Sequence, residues 1–126
     1  MSTSCPFCPP NPRLVLWEGP EVLALWDLHP AAPGHALIIT RRHVVTWFDA
    51  SDSERGALAA ATVPVRASIL ERHRADGFTV GVNVGEAAGQ TVPHLHLHLI
   101  PRRWGDVSEP RGGVRRLLLR PGEEVG

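Results

Sequence analysis

The stretch Gly89–Pro101 alternates histidine with leucine, and it constrains the fold more than any other part of the chain. Its histidines, His94, His96 and His98, stand at every second position. A period of two predicts a β-strand with leucine on one face and imidazole on the other. Neighbouring histidine Cα atoms would lie roughly 6.5 to 7 Å apart, so their rings could converge on one small anionic group. Solvation does not favour histidine over lysine, glutamate or threonine, so the pattern indicates chemistry or metal binding.

The composition is typical of one small globular domain, which we place over residues 1–126. The formal net charge is zero and 43% of the residues are hydrophobic. The chain lacks the basic excess of a general nucleic-acid binder, so we expect no polymeric nucleic acid as partner. No apolar run reaches membrane-spanning length, and the first residues lack the apolar core of a signal peptide. We therefore expect a cytoplasmic protein without a membrane partner.

Cys5 and Cys8 form a Cys-Pro-Phe-Cys motif, a spacing used by redox dithiols and by zinc sites. A redox pair follows a strand and opens a helix, whereas only four residues precede Cys5 and three of the four residues after Cys8 are prolines. This context favours zinc, with residues 1–12 as a zinc knuckle, over a redox pair or incidental thiols. Zinc would need two more ligands, and histidines are the available supply.

Short apolar runs predict an antiparallel sheet. Beside the histidine strand we expect strands over Leu14–Glu18, Glu21–Trp26, His35–Thr40 and Phe78–Val84. Gly19 and Pro20 predict a hairpin between the first two. Hairpin-length links at both ends of the chain favour antiparallel pairing, with a helix packed on one face of the sheet.

The main helix is predicted from Ser51, which has capping-box spacing to Glu54, through an alanine-rich run to about His73. Pro64 lies inside this run and should kink the helix or divide it in two.

Residues 102–126 form a basic, glycine-rich tail with two interpretations. One is a solvated tail. The other is a phosphate-facing loop over Arg111–Arg116, in which Gly112 and Gly113 would present backbone N–H groups between arginines.

Imidazoles can act as nucleophile, proton donor or ligand, because a pKa of roughly 6.5 leaves both forms populated near neutral pH. In phosphoryl or nucleotidyl transfer a neutral histidine attacks phosphorus and divides one displacement into two easier steps. A neighbouring histidine can donate a proton to the leaving group. The third can orient the others or bind metal.

The pattern resembles the signature of the histidine triad (HIT) superfamily of nucleotide hydrolases and transferases, which is His-x-His-x-His with apolar x. The resemblance extends over Cys5 to Pro101, because further motifs stand in the family's order: Leu25-Trp26-Asp27, Pro33-Gly34-His35, Arg41-Arg42-His43, and Asn83 with Gly85 and Glu86. It implies an α+β, HIT-like fold of about five antiparallel strands with one long helix and a short helix. It also implies a homodimer in which two sheets become continuous.

The resemblance implies roles for the histidines. His96 would be the nucleophile that becomes adenylylated. His98 would protonate the leaving group or contact its bridging oxygen. His35 would support the triad as a neighbouring partner.

The resemblance also implies the nucleotide contacts. Asp27 would hold the ribose, which agrees with the capacity of a carboxylate to accept hydrogen bonds from two vicinal hydroxyls. The α-phosphate would be bound by Asn83 and by the run Gly89, Gln90, Thr91 and Val92, together with His98.

Bacterial HIT proteins that begin with Cys-x-x-Cys look like this chain, and the resemblance implies that His43 and His94 complete the zinc site. Four protein ligands without water describe a closed, structural site. We expect about one zinc per chain.

The expected function is hydrolysis or nucleotidyl transfer at the α-phosphate of an adenine nucleotide, most simply a dinucleoside polyphosphate. A nucleoside phosphoramidase, a catalytic metal site built from the triad, and a non-catalytic nucleotide-binding module remain alternatives. Asp27 stands where some dinucleoside polyphosphate hydrolases carry an amide, and Asn83 where they carry glutamine. Substrate preference therefore cannot be copied from the family.

Overall fold

The computed structural model describes residues 5–119 and 123, and within them five strands and one α-helix. The strands are β1 (Val15–Glu18), β2 (Val22–Trp26), β3 (Ala36–Thr40), β4 (Gly77–Gly81) and β5 (His96–Arg102), and the helix is α1 (Asp52–Leu70). Single 3-10 turns or short 3-10 helices lie at Pro12–Leu14, Trp47–Asp49, Glu86–Ala88 and Gly113–Leu118. In the described residues these 3-10 segments take the place of the expected short helix.

The strands form one antiparallel sheet in the order β1-β2-β3-β5-β4, which confirms the predicted α+β fold. The predicted hairpin is present, because the backbone N–H of Gly19 donates to the carbonyl of Val22 at 2.8 Å. β3 and β5 are the inner pair, although they are distant in the chain. The central register is therefore set by a long-range pairing.

The two faces of the sheet differ in chemistry. Residues directly opposite in an antiparallel pair share a face. Leu37 pairs with His98 and Ile39 with His96, so these residues define what we call the histidine face. The opposite, helix face carries the main core, whose β5 members are Leu97 and Leu99.

Helix α1 covers the helix face. Its first turn is closed by the predicted capping box, in which Ser51 Oγ accepts from Glu54 N at 3.0 Å and Glu54 Oε1 accepts from Ser51 N at 2.9 Å. The helix continues as one element through Pro64, so the expected division does not occur. Proline removes one backbone donor, but the apolar face on both sides of it is buried in the core: Leu58, Ala61, Val65 and Ile69.

Three predicted boundaries were wrong. α1 ends at Leu70 instead of about His73, and β4 ends at Gly81 instead of Val84. β4 stops because its last partner on β5 is His98, beyond which β5 pairs with β3 alone. His94 lies before β5 and not within it, so the three imidazoles do not share one strand face.

β4 is an edge strand, and its outer side pairs with no strand of residues 5–119. β1 is the other edge strand, and a second copy could extend the sheet at either edge; the homodimer stays a prediction. Part of the basic tail, residues 120–122 and 124–126, lies outside the described residues. No helix in the described part of the chain is long and apolar enough to cross a membrane.

Glu54 is buried at 5% exposure and accepts hydrogen bonds from Arg42 Nε (3.1 Å) and Nη2 (2.8 Å). The bonds from Arg42, and then that from the Ser51 backbone, lower the pKa of Glu54 from 4.5 to about 2. Because folding lowers this pKa, the stabilisation is present above about pH 4.5 and is lost as the pH falls towards 2. Arg42 is largely exposed, so solvent screens the charge attraction.

We expect Glu54→Gln to lower the free energy of unfolding at pH 7 by about 1–3 kcal/mol, through the loss of the charged hydrogen bonds with Arg42, since a glutamine can still accept from Ser51 N. In the variant, the free energy of unfolding should also fall less steeply below pH 5 than it does in the wild type. Urea denaturation between pH 2.5 and 7 measures both. Glu71→Gln, at the exposed far end of α1, is the matched control. An equal loss in the control, or an unchanged pH dependence, would contradict the assignment.

Candidate functional site

His96 and His98 project from the histidine face of β5, and their rings lie edge-on at 5.0 Å between centroids. His96 is 7% exposed, and its Nδ1 donates to the carbonyl of His94 at 2.8 Å. A carbonyl oxygen can only accept, so the proton of a neutral His96 stands on Nδ1. Nε2 of His96 therefore carries the free lone pair that a nucleophile requires.

A chain of hydrogen bonds fixes the tautomers of His35 and His98. The backbone N–H of Ala31 donates to His35 Nδ1 at 3.0 Å, so the ring proton of His35 stands on Nε2. His35 Nε2 lies 2.9 Å from His98 Nδ1 and donates to it. This leaves the proton of His98 on Nε2, where it can be donated to a ligand.

Burial keeps this histidine pair neutral. Burial, reinforced by electrostatic repulsion from the neighbouring imidazoles of His96 and His35, lowers the pKa of His98 from 6.5 to about 4. Burial also lowers the pKa of His35, against the opposing effect of the Asp27 carboxylate. At neutral pH His98 is therefore an imidazole N–H donor.

Asp27 follows the last residue of β2 and lies beside this chain of bonds. Its Oδ1 accepts from the backbone N–H of His29 at 2.8 Å, and its Oδ2 lies 3.4 Å from His35 Nε2. The Asp27 N–H in turn donates to the carbonyl of His35 at 3.0 Å, which joins the two segments. The side chain of Asp27 is 16% exposed, so its oxygens remain partly accessible to a ligand.

The loop before β5 is organised by Gln90, which is buried. Its Oε1 accepts from Gly85 N (2.9 Å), and its Nε2 donates to the carbonyls of Val45 (2.6 Å) and Val92 (3.0 Å). The Gln90 backbone N–H donates to the Gly85 carbonyl at 3.1 Å. Both amide hydrogens and the backbone donor are thus engaged within the protein. In this conformation Gln90 shapes the loop and has no donor left for phosphate.

The other predicted phosphate contacts remain accessible. Gly89 ends the turn at φ 90°, a left-handed conformation that glycine adopts without strain. Within residues 5–119, no acceptor is recorded for the backbone N–H of Thr91 or Val92. Asn83 is exposed, and no hydrogen bond in that part of the chain ties it to the histidines. The roles of Asn83, Gly89, Thr91 and Val92 stay predictions.

His94 turns away from the other two histidines and joins Cys5, Cys8 and His43. Its Nε2 donates to the carbonyl of Thr40 at 2.8 Å, which leaves the lone pair on Nδ1. That Nδ1 lies 3.2 Å from Cys5 Sγ and 3.3 Å from Cys8 Sγ. A ring nitrogen held by a carbonyl behind it is the usual arrangement of a metal-binding histidine.

The four side chains fit a zinc ion. His43 Nδ1 lies 3.3 Å from Cys8 Sγ, and all four donor atoms lie within 4.8 Å of one another. A tetrahedral zinc would separate a nitrogen from a sulfur ligand by about 3.6 Å. Hydrogen bonding to Cys5, then burial and the charge of Cys5, raises the pKa of Cys8 to about 11. This crowding of two thiols is what a bound cation would relieve.

Asp27, His35 and His98 also lie close enough to hold a metal ion. The hydrogen bonds argue against that use. A metal would need the lone pair of His35 Nε2, yet Ala31 N–H occupies the opposite nitrogen and places the proton on Nε2. We interpret these three residues as a hydrogen-bonded relay, which disfavours the alternative of a catalytic metal at the triad.

An open groove of about 840 Å³ lies along β4 and the first part of the tail. Its lining residues include Phe78, Trp104 and Arg111. None of the histidines in the described residues lines the groove. Arg111 therefore lies at the far end of β5 from His96 within one chain.

Three contributors were missed by sequence reasoning. Phe7 packs against His94 and His96, and Thr40 supplies the carbonyl that orients His94. His73, predicted as the approximate end of the helix, is half-buried against Trp26 and Gly34. The sequence did contain a signal for Phe7, which is an apolar residue between two cysteine ligands. The carbonyl of Thr40 leaves no such signal, because it belongs to the backbone.

A comparison with protein families matches residues 9–105 to the HIT domain. The chain belongs to the HIT domain family. The motifs on which the resemblance was based thus identified the family correctly.

Two curated relatives have named activities. The AP-4-A phosphorylase of Mycobacterium tuberculosis is 36% identical over 84% of this chain and 55% of its own length. The asymmetrical bis(5'-nucleosyl)-tetraphosphatase of Schizosaccharomyces pombe is 40% identical over 68% of this chain and 47% of its own length. The chain thus spans about half the length of these relatives.

A zinc-bound histidine triad family protein from Mycobacterium smegmatis has a similar solved structure. It is 35% identical, with a TM-score of 0.74, and the match covers 82% of this chain and 78% of that protein. An HIT-like protein of Bartonella henselae, crystallised with an unknown ligand, matches with a TM-score of 0.69 and 34% identity over 73% of this chain and 70% of its own.

The geometry of the cluster leads to a metal-content prediction. We expect purified protein to contain about one zinc per chain, because four donor atoms stand at tetrahedral spacing. Cys5→Ser should lose the metal, since it removes one thiolate. His96→Ala is the matched control and should retain it, since His96 Nδ1 is bound to a carbonyl. Elemental analysis by mass spectrometry measures the ratio; zinc that survives Cys5→Ser and leaves with His96→Ala would refute the site.

Proposed function

We propose that this protein transfers or hydrolyses the adenylyl group of nucleotides, with dinucleoside polyphosphates as its preferred substrates. The observation that carries the proposal is the pair of complementary tautomers on β5. His96 presents a lone pair on Nε2, and His98 presents a proton on Nε2, two residues along the same face. Nucleophile and donor are thus set by hydrogen bonds before a substrate arrives.

The first step is attack of His96 Nε2 on the α-phosphorus. The P–N bond forms as the bond from the α-phosphorus to the leaving oxygen breaks. His96 Nδ1 keeps its proton on the carbonyl of His94, which stabilises the positive charge that develops on the ring. The product is AMP bound covalently to His96.

His98 assists departure of the other half of the substrate. Its Nε2–H donates to the oxygen that bridges the α-phosphorus and the leaving group, and His35 behind it holds the ring in this orientation. Water, or another acceptor, then attacks the α-phosphorus of the adduct from the side that the leaving group has vacated. The new P–O bond forms as the P–N bond breaks, the proton of the acceptor passes to solvent, and AMP or its transfer product leaves the free imidazole of His96.

The rest of the nucleotide has matching surfaces. Asp27 is accessible to the ribose hydroxyls, and the backbone N–H groups of Thr91 and Val92 face no acceptor of residues 5–119. On the histidine face, Leu14 and Val15 are partly exposed over a buried apolar cluster and offer an apolar surface for a base. Two zinc-binding cysteines flank one end of this surface.

The activities in the names of the relatives support attack at the α-phosphate. They do not determine which group leaves as the second product. Diadenosine tetraphosphate is in the name of one relative and a nucleosyl tetraphosphate in that of another. The HINT3 protein of Arabidopsis thaliana, an adenylylsulfatase, aligns with 99% of this chain at 31% identity. These substrates share an adenylyl or nucleotidyl group and differ in what leaves.

We expect His96→Gly to abolish turnover of diadenosine tetraphosphate, by at least about 10³-fold, because the variant lacks the nucleophile. Binding of AMP should change by less than about threefold, because the ribose and phosphate contacts remain. Acid-quenched wild type should gain the mass of one adenylyl group in a peptide that contains His96. Full activity in the variant, or an adduct on another residue, would sink this mechanism.

A second experiment tests the substrate class. Diadenosine tetraphosphate and adenosine phosphoramidate compete in one tube with the zinc-loaded protein, with and without inorganic phosphate, and chromatography follows the products. We expect faster loss of the dinucleotide, with AMP and ATP as products in water. ADP in place of AMP on addition of phosphate would identify phosphorolysis. Preferential loss of the phosphoramidate would move the protein to that substrate class, and turnover of neither with AMP bound would favour a binding module.

A further inference from the structure

Phe7 lies between the metal cluster and His96. Neither metal binding nor the attack on phosphorus gives this side chain a role. Its ring meets the His94 ring edge-on, with centroids 5.5 Å apart and planes at 90°. The same ring meets His96 at 5.9 Å and 63°. One side chain thus contacts both a metal-binding histidine and the histidine that attacks phosphorus.

The position of Phe7 is determined by the turn that carries the two cysteines. Cys8 N donates to the carbonyl of Cys5 at 3.2 Å, which closes the turn around residues 6 and 7. Both thiols converge on His94 Nδ1, at 3.2 and 3.3 Å. An ion that binds the two thiols and His94 therefore holds the turn, and the turn holds the Phe7 ring.

On its other side Phe7 is anchored in the apolar cluster of the histidine face. The ring is half-buried and packs against four buried side chains of β2 and β3: Leu23, Leu25, Leu37 and Ile39. Ile39 is also the strand partner of His96. Phe7 therefore packs on the same face of the sheet as His96, in contact with that ring.

The His96 ring is limited from three directions. Its Nδ1–H is bound to the His94 carbonyl at 2.8 Å, His98 lies at 5.0 Å and Phe7 at 5.9 Å. The hydrogen bond alone leaves the ring free to tilt about the bond direction. Contacts with the His98 and Phe7 rings restrict that tilt, and with it the direction of the Nε2 lone pair.

We propose that Phe7 is a positioning residue that couples metal occupancy of the Cys5–Cys8–His43–His94 cluster to the orientation of His96. The proposal rests on the proposed function, since it concerns the direction of the nucleophile. Metal loss would release the cysteine turn, withdraw the Phe7 ring and let His96 tilt. The zinc knuckle is then part of the catalytic geometry as well as of the fold.

A second connection runs through His94, whose ring binds in the cluster and whose carbonyl holds His96. Substitution of Phe7 separates the two connections, because it leaves His94 unchanged. Phe7→Ala removes the ring, and Phe7→Leu keeps apolar bulk without an aromatic edge. Pro6→Ala is the matched control, because Pro6 is exposed in the same turn between the same cysteines.

The experiment compares zinc-loaded wild type, Phe7→Ala, Phe7→Leu and Pro6→Ala in three measurements. Elemental analysis gives zinc per chain, steady-state kinetics give kcat and KM for diadenosine tetraphosphate, and long-range ¹H–¹⁵N spectra report the ring nitrogens of His96. We expect Phe7→Ala to keep about one zinc per chain. Its kcat should fall about tenfold, as for a nucleophile misplaced by a fraction of an ångström, while KM changes less than about threefold. Its His96 signals should shift or broaden, with Phe7→Leu intermediate and Pro6→Ala unchanged.

Removal of zinc from the wild type by a chelator, followed by its return, completes the test. We expect the His96 signals to move towards those of Phe7→Ala on removal and to recover on reloading. Zinc-loaded Phe7→Ala with wild-type kcat and wild-type His96 signals would overturn the proposal. A change confined to KM would also overturn it, because Phe7 would then bind substrate and not position His96.

Two further outcomes are distinguishable. If Phe7→Ala fails to hold zinc, the same criteria apply to zinc-loaded Phe7→Leu, which preserves the bulk of the turn. If His96→Gly retains turnover, the proposed function fails. The spectra of the Phe7 variants would still decide whether Phe7 orients the His96 ring.

Discussion

The pairing of β3 with β5 positions His35, His96 and His98 relative to one another. It sets Leu37 beside His98 and Ile39 beside His96, and it brings His35, just before β3, within 2.9 Å of His98. A shift of one residue would exchange the two faces of β5 and turn the histidines into the core under α1. The leucines of the alternating stretch therefore keep the histidines on their own face. Such a shift would move these leucines out of the core and lose buried apolar surface.

Three histidines with the same spacing present different ring nitrogens because their rings have different polar partners. A carbonyl accepts from Nε2 of His94 and from Nδ1 of His96, which exposes opposite nitrogens on the two rings. His98 accepts at Nδ1 and so presents a proton. The roles proposed for the three histidines, ligand, nucleophile and donor, thus differ through hydrogen bonds to neighbouring backbone and side-chain atoms. The pKa of His98, lowered by burial to about 4, keeps the donor in its neutral form.

Much of the fold could be predicted because its signals are local. The hairpin at Gly19, the capping box at Ser51 and the alternation of β5 each depend on a few adjacent residues. The metal cluster needed the family resemblance, since nothing in the spacing of Cys5 and Cys8 selects His43 or His94. The continuation of α1 through Pro64 could not be predicted, because burial on the sheet outweighs the lost donor. The histidine tautomers also could not be predicted from the sequence, because they depend on backbone carbonyl groups that any residue supplies.

The engagement of Gln90 affects the thermodynamics of ligand binding. Three side-chain hydrogen bonds and one backbone bond hold the loop between Gly85 and Val92 in place without a ligand. A loop that is already ordered loses little conformational entropy when an anion docks, so more of the interaction energy remains as affinity. Buried Gln90 has both amide hydrogens engaged by the carbonyls of Val45 and Val92. It contributes by removing, during folding, an entropic cost that would otherwise recur with every molecule bound.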